Sequence, residues 1–134
     1  MSLPRACALC LALLVTVCAV AGHPGGDRYY CTEYGPFFIR IDGEKLAGVF
    51  AILERNDLGT AVGELHGNVM TGRWHEADAS GDIVIRFAPD RSAFSAEYRV
   101  DGEPDIWHRE WRGVLRYADG DNRFTLDEIE YRCE

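Results

Sequence analysis

Lysine is nearly missing from this sequence: of its 14 basic residues only Lys45 is lysine, against 22 acidic residues. With a formal net charge of −8, the chain presents no Lys/Arg cluster of the kind that phosphate backbones and anionic membrane surfaces attract. Nucleic acid is therefore not an expected partner. Any helical period is missing after residue 26, so no amphipathic helix is expected in the body of the protein. The Gly-x-Ser-x-Gly elbow of a Ser-His-Asp hydrolase is not found. His66, His75 and His108 do not stand at metal-ligand spacing. The acidic stretch of Asp119, Asp121, Asn122 and Asp127 carries Phe124 where a calcium loop needs glycine. No catalytic residue, metal ligand or cofactor is assigned.

One long hydrophobic run is present, at the N-terminus. Arg5 precedes Ala6–Ala21, which has no charged residue and ends in Ala19-Val20-Ala21, the small-x-small pattern of signal peptidase sites. The run is short of the roughly 20 residues a spanning helix needs. Gly22, Pro24, Gly25 and Gly26 then break any helix. Residues 1–21 are accordingly expected to be a cleaved signal peptide and residues 22–30 a flexible lead-in. Residues 31–134 are expected to form a single domain, secreted or periplasmic, with no stable membrane insertion of the mature chain. Cleavage removes Arg5 and leaves 13 basic against 22 acidic residues, a net charge of −9.

It also removes Cys7, Cys10 and Cys18, leaving Cys31 and Cys133, one near each end of the domain. In an oxidising compartment these two are expected to pair. Closing a loop of about 100 residues is worth on the order of 4–5 kcal/mol in the chain-entropy estimate.

What fills the remainder is period-two text broken by turn residues. The stretches are 37–41 (FFIRI), 46–53 (LAGVFAIL), 60–65 (TAVGEL), 69–75 (VMTGRWH), 81–88 (GDIVIRFA), 93–100 (AFSAEYRV), 106–117 (IWHREWRGVLRY) and 124–133. Connections this short force antiparallel neighbours. About eight strands are thus expected in an all-β, up-and-down meander, closing as a small barrel or a two-layer sandwich to avoid open edges. Gly48, Gly63, Gly72 and Gly113 fall inside strands, near the aromatics Phe50, Trp74 and Trp107. Large rings lying over cross-strand glycines would account for them.

The text GTAVGELHGNVMTGRWHE, followed by GDIVIRF, FSAEY and Trp111-Arg112-Gly113, resembles a β-meander family of uncharacterised exported bacterial proteins. Those proteins read approximately G-x-[VIL]-x-G-x-V-x-G-N-x-L-x-G-x-W-x-E. The resemblance implies the meander fold and no particular activity, and Ser95-Ala96 departs from it where a Gly is usual. Tyr29-Tyr30-Cys31 and Cys133 resemble the opening and closing of MliC-type periplasmic lysozyme inhibitors. Their Ser-Gly-x-x-Tyr loop has no counterpart, since Ser80-Gly81 continues as Asp82-Ile83-Val84.

The residues richest in binding chemistry are Trp74, Trp107, Arg109 and Trp111. On a regular strand Trp107, Arg109 and Trp111 share one face, so the indoles are either core or a platform with a guanidinium clamp. His75-Glu76, and His108-Arg109-Glu110 with Asp105, set histidines beside carboxylates. A glycosidase would need two such carboxylates about 5–10 Å apart across a cleft. The first expectation is a non-enzymatic exported binding module for an unknown ligand or protein partner. An inhibitor or immunity-like protein that engages a cationic enzyme comes second, and a small hydrolase third.

Overall fold

A computed structural model of the protein describes residues 26–118 together with Cys133. Eight antiparallel strands, each paired with the next, close into a barrel through pairing of the first with the last. They are β1 (Gly26–Thr32), β2 (Pro36–Asp42), β3 (Lys45–Ile52), β4 (Asp57–His66), β5 (Val69–His75), β6 (Ser80–Phe87), β7 (Ala93–Tyr98) and β8 (His108–Ala118). The architecture is the expected all-β meander, and of the two closures the chain adopts the barrel. A single 3₁₀ turn, Leu53–Arg55, is the one helical element among the described residues.

One expectation needs amendment. Residues 26–30, expected in a flexible lead-in, are paired with β2 throughout, and from Arg28 onward with β8 as well, within β1. The expected signal peptide (1–21), the strand over 124–133 and the acidic stretch 119–127 lie outside the described residues, Cys133 excepted.

Alternation decides which side chains fill the barrel. Along β2, Phe37, Ile39 and Ile41 point inward, and along β6 Gly81, Ile83, Ile85 and Phe87 do the same. The resulting core is wholly apolar, and several of its members, including Tyr30, Phe37, Ile39, Met70, Ile83 and Ile85, have no exposed surface. Aromatics over glycines are confirmed, with different partners. Phe50 faces Gly59, Phe94 faces Gly113 and Trp74 faces Gly81 across their strand pairs. A Cβ at Gly59 or Gly113 would run into the Phe50 or Phe94 ring. Trp107 lies over no strand glycine, because it precedes β8.

Adjacent Tyr29 and Tyr30 are both buried, on opposite sides of the barrel wall. Tyr30 joins the core, and its hydroxyl donates to the carbonyl oxygen of Arg91 at 2.8 Å. Tyr29 faces outward, where its hydroxyl lies 2.8 Å from the sulfur of Cys133. On that outer side Cys133 meets Cys31 with an S–S distance of 2.01 Å and Cα atoms 5.2 Å apart. The pairing expected from the cysteine count thus anchors residue 133 to β1.

The two ends of the barrel are closed differently. At one end the five-residue connection 88–92 is joined by 43–44 and 67–68, two-residue hairpin loops that each begin with a positive-φ glycine, Gly43 at 61° and Gly67 at 62°. Two-residue loops match strand twist and leave little room between strands. At the other end run the loops 33–35, 53–56, 76–79 and the nine-residue 99–107. That end is the mouth.

Candidate functional site

Phe50 and Ile52 close the inward row of β3 at the mouth, Trp74 that of β5 and Tyr98 that of β7, while Trp111 begins that of β8. Tyr34 folds in from the β1–β2 loop. These rings surround a cavity of about 360 Å³ whose wall is completed by Ile52, Ala79 and Val100, with Glu54, Arg55 and Glu76 at its rim. The volume falls in the range of small-molecule sites, roughly 300–1,000 Å³.

The rings meet edge to face. Tyr98 stands at 80° to Trp74 and at 85° to Trp111, with centroids 5.6 and 6.0 Å apart. Phe50 and Tyr34 meet Trp111 at 81° and 72°. Beneath them Phe37 packs against Phe50, Phe94 and Trp111 and forms the floor.

The two indole N–H groups of the cup differ. Trp74 Nε1 donates to the backbone oxygen of Arg99 at 3.0 Å, which ties β5 to the start of the β7–β8 loop. Trp111 Nε1 is buried and has no hydrogen-bond partner among the described residues. A buried donor left unpaired costs about 1–3 kcal/mol, and native interiors rarely tolerate one.

At the rim, Arg55 Nη2 donates to both carboxylate oxygens of Glu76, at 3.0 and 3.2 Å, bridging the β3–β4 and β5–β6 loops. Glu54 makes no ion pair among the described residues. Burial raises the Tyr98 hydroxyl pKa above its ordinary value, with further raising from Tyr34 and Glu76 and a lowering from Arg55. For Tyr34, burial comes first and the charges of Glu33 and Glu110 push the same way.

The four residues singled out in the sequence all reach the mouth, but they do not form one face. Trp74 and Trp111 line the cup and are 5% exposed, so both serve as packed wall. Trp107 and Arg109 line a second hollow, of about 410 Å³, which shares Tyr34 and Tyr98 with the cup and adds His108 and Glu110. The one strand face expected to carry Trp107, Arg109 and Trp111 together is broken by a bulge. Ala96 pairs with Trp111 while Tyr98 pairs with His108, so β8 carries one residue more than β7 over that interval. The extra residue reverses the alternation. His108 therefore stacks on Tyr98 at 4.9 Å, and Arg109 turns outward to Glu97, 3.1 Å away, a carboxylate that Arg86 also holds. Trp107 stands outside the strand with the Arg99 guanidinium 4.8 Å above its ring.

Sequence reasoning missed Tyr34, Phe50, Tyr98, Glu54 and Arg55 as site residues. Topology could have found them, since in an up-and-down meander the ends of odd strands and the starts of even ones meet at one rim. Glu76 and His75 stand at that rim on β5 and its following loop, whereas His66 stands at the opposite end beside Glu64. Among the described residues, no group of three His, Cys, Asp or Glu side chains is placed to hold a metal ion, and no helix is long and apolar enough to cross a membrane.

Fold and site together define a small up-and-down β-barrel with an aromatic cup at one mouth. No family model matches the chain, and no curated protein or solved structure is significantly similar to it.

Proposed function

We propose that this protein is a non-enzymatic, exported binding module that takes a small ligand in the aromatic cup. One observation carries the reading: a ring-lined cavity of about 360 Å³ walled in part by Trp111, whose indole N–H is buried and has no partner among the described residues. A ligand's apolar part would cover the rings, and a small shift of the Trp111 ring would let its hydroxyl or carbonyl oxygen accept from that N–H. Export rests on the Ala6–Ala21 run with its Ala19-Val20-Ala21 end, and on a Cys31–Cys133 pair suited to an oxidising compartment.

The test is a ligand-observed NMR screen of small aromatic alcohols, amides, amines and carboxylates at millimolar concentration, with hits mapped on backbone amides. Hits that perturb Tyr34, Arg55, Glu76 and Tyr98 are expected. Hits that cluster on the outer wall or at the hairpin end, or a screen with no hits, would refute the reading. Export is checked separately by the intact mass of the secreted protein, expected to begin at or near Gly22.

A further inference from the structure

The two ends of the barrel differ in charge as well as in shape. The mouth loops 33–35, 53–56, 76–79 and 99–107 carry seven carboxylates and two guanidinium groups. The opposite loops 43–44, 67–68 and 88–92 carry only Glu44, Asp90 and Arg91. Both arginines of these loops are already engaged, Arg73 of β5 pairs with the loop's Asp101, and Arg109 stands at the neighbouring hollow paired with Glu97. Arg55 is held by Glu76, and Arg99 pairs with Asp82 at 2.7 Å and donates to the Pro104 oxygen at 3.1 Å. Glu54 on the cavity rim makes no such pair among the described residues, so the field at the cup is negative.

Mutually perpendicular rings around a hollow are the arrangement that surrounds a positive charge with π density. The mouth already does this once for a group of its own, where the Arg99 guanidinium sits 4.8 Å over Trp107. Among the described residues, ring cage and acidic rim occur together at this end of the barrel and not at the other. We propose that the cup's ligand is a small organic cation, a substituted ammonium group with an apolar surface and one hydrogen-bond acceptor. The ammonium would sit among Tyr34, Trp74, Tyr98 and Trp111, with Glu54 on the rim above it. The acceptor would meet Trp111 Nε1–H. This inference rests on the binding reading above and narrows it to one ligand charge.

Three probes of nearly one shape isolate the charge: choline, its neutral carbon isostere 3,3-dimethylbutan-1-ol, and the anion 3,3-dimethylbutanoate. Titrated into the whole protein and followed by amide shifts at the mouth, choline is expected to bind at least ten-fold more tightly than the alcohol, and the anion more weakly than either. Choline binding should weaken as salt is raised. Two variants give opposite signs. Glu54→Gln should weaken choline several-fold without moving the alcohol, and Arg55→Ala should strengthen choline. Both side chains sit at the exposed rim, and an unchanged amide spectrum verifies folding. Equal or tighter binding of the alcohol at the mouth overturns the cationic ligand and leaves the cup reading standing. The same holds if Arg55→Ala abolishes choline binding. If none of the probes moves mouth resonances, the cationic ligand is overturned, while the wider fragment screen decides the cup separately.

Discussion

The hairpin end and the mouth of this barrel are made from the same alternation of inward apolar residues, yet one is a plug and the other a cup. At the hairpin end Tyr30, Phe87 and Phe94 lie against one another, with centroids 5.1–6.0 Å apart. The Tyr30 hydroxyl is spent on the turn at Arg91. At the mouth the rings are equally close to one another, but they stand around a hollow, and one indole N–H is unpaired. The difference lies in the loops. The hairpin end has two two-residue connections and the five-residue 88–92, whereas the mouth includes the nine-residue 99–107, whose flanking Tyr98 and His108 remain paired.

If the hairpin end is the true core, it should bear truncation worst. Phe94→Ala removes the ring that fills the space over Gly113 and touches Tyr30, Phe37 and Phe87. A loss of about 3–5 kcal/mol is expected in urea unfolding. Tyr34→Ala at the mouth should cost about 1 kcal/mol or less, since its ring is only partly buried. Equal losses would erase the distinction between plug and cup.

Next in size is the bond between β1 and residue 133. Cys31→Ser should lower stability by about 2–5 kcal/mol, and intact mass with and without reductant should report no free thiols in the wild type. Two free thiols in the oxidised protein would contradict the bond.

The plug should also be visible to alkali. Burial raises the Tyr30 hydroxyl from 10.0 to about 12, against small opposing effects of Arg28 and Arg91. The folded state therefore favours the neutral phenol. Its contribution, about 2–3 kcal/mol from a shift of this size, is complete below pH 10 and is lost as pH rises from 10 through 12. Stability measured across that window should fall in the wild type and fall less in Tyr30→Phe. In acid the corresponding group is Asp101 at the mouth. Hydrogen bonding from Arg73, with Ser80 assisting, lowers its pKa from 3.8 to about 2. Its depressed value means a contribution present above pH 3.8 and lost as pH drops toward 2, expected to be small because the pair is exposed.

Smallest of all should be Arg109→Ala. Its side chain is 72% exposed and paired with Glu97 on the outer wall, so a change within about 0.5 kcal/mol is expected. Trp107→Ala should fall between this and Phe94→Ala. A large loss at Arg109 would mean that the bulge does not turn it out of the barrel.

Strand text made the barrel wall readable: the alternation in β6 and β7 sets Ile83 with Ile85 and Phe94 with Ala96 on one face each, and in both strands that face points inward. Failures fall where the backbone is irregular. Trp107, Arg109 and Trp111 are two apart in sequence, yet one extra residue in β8 sends them to different surroundings. A bulge leaves no mark in residue types. The start of β1 was hidden because Gly26-Asp27-Arg28 reads as linker, and only pairing with β2, joined by β8 at Arg28, gives that polar stretch its place in the wall. The cup was hidden for a related reason. Its members Tyr34, Phe50 and Tyr98 are far apart in sequence and share a rim only once the strand order is known.

The most direct test of the cup is the indole N–H region of a ¹H–¹⁵N spectrum, where the three tryptophans give three separable signals. Benzyl alcohol, a neutral ring with one hydroxyl acceptor, is added at millimolar concentration. The account predicts a progressive downfield shift of the Trp111 signal as its N–H gains a partner. Trp74, already bonded to the Arg99 oxygen, should move less, and the amides of Gly43, Gly67 and Asn68 at the hairpin end should stay in place. A stationary Trp111 signal, or shifts centred on the hairpin end, would contradict it.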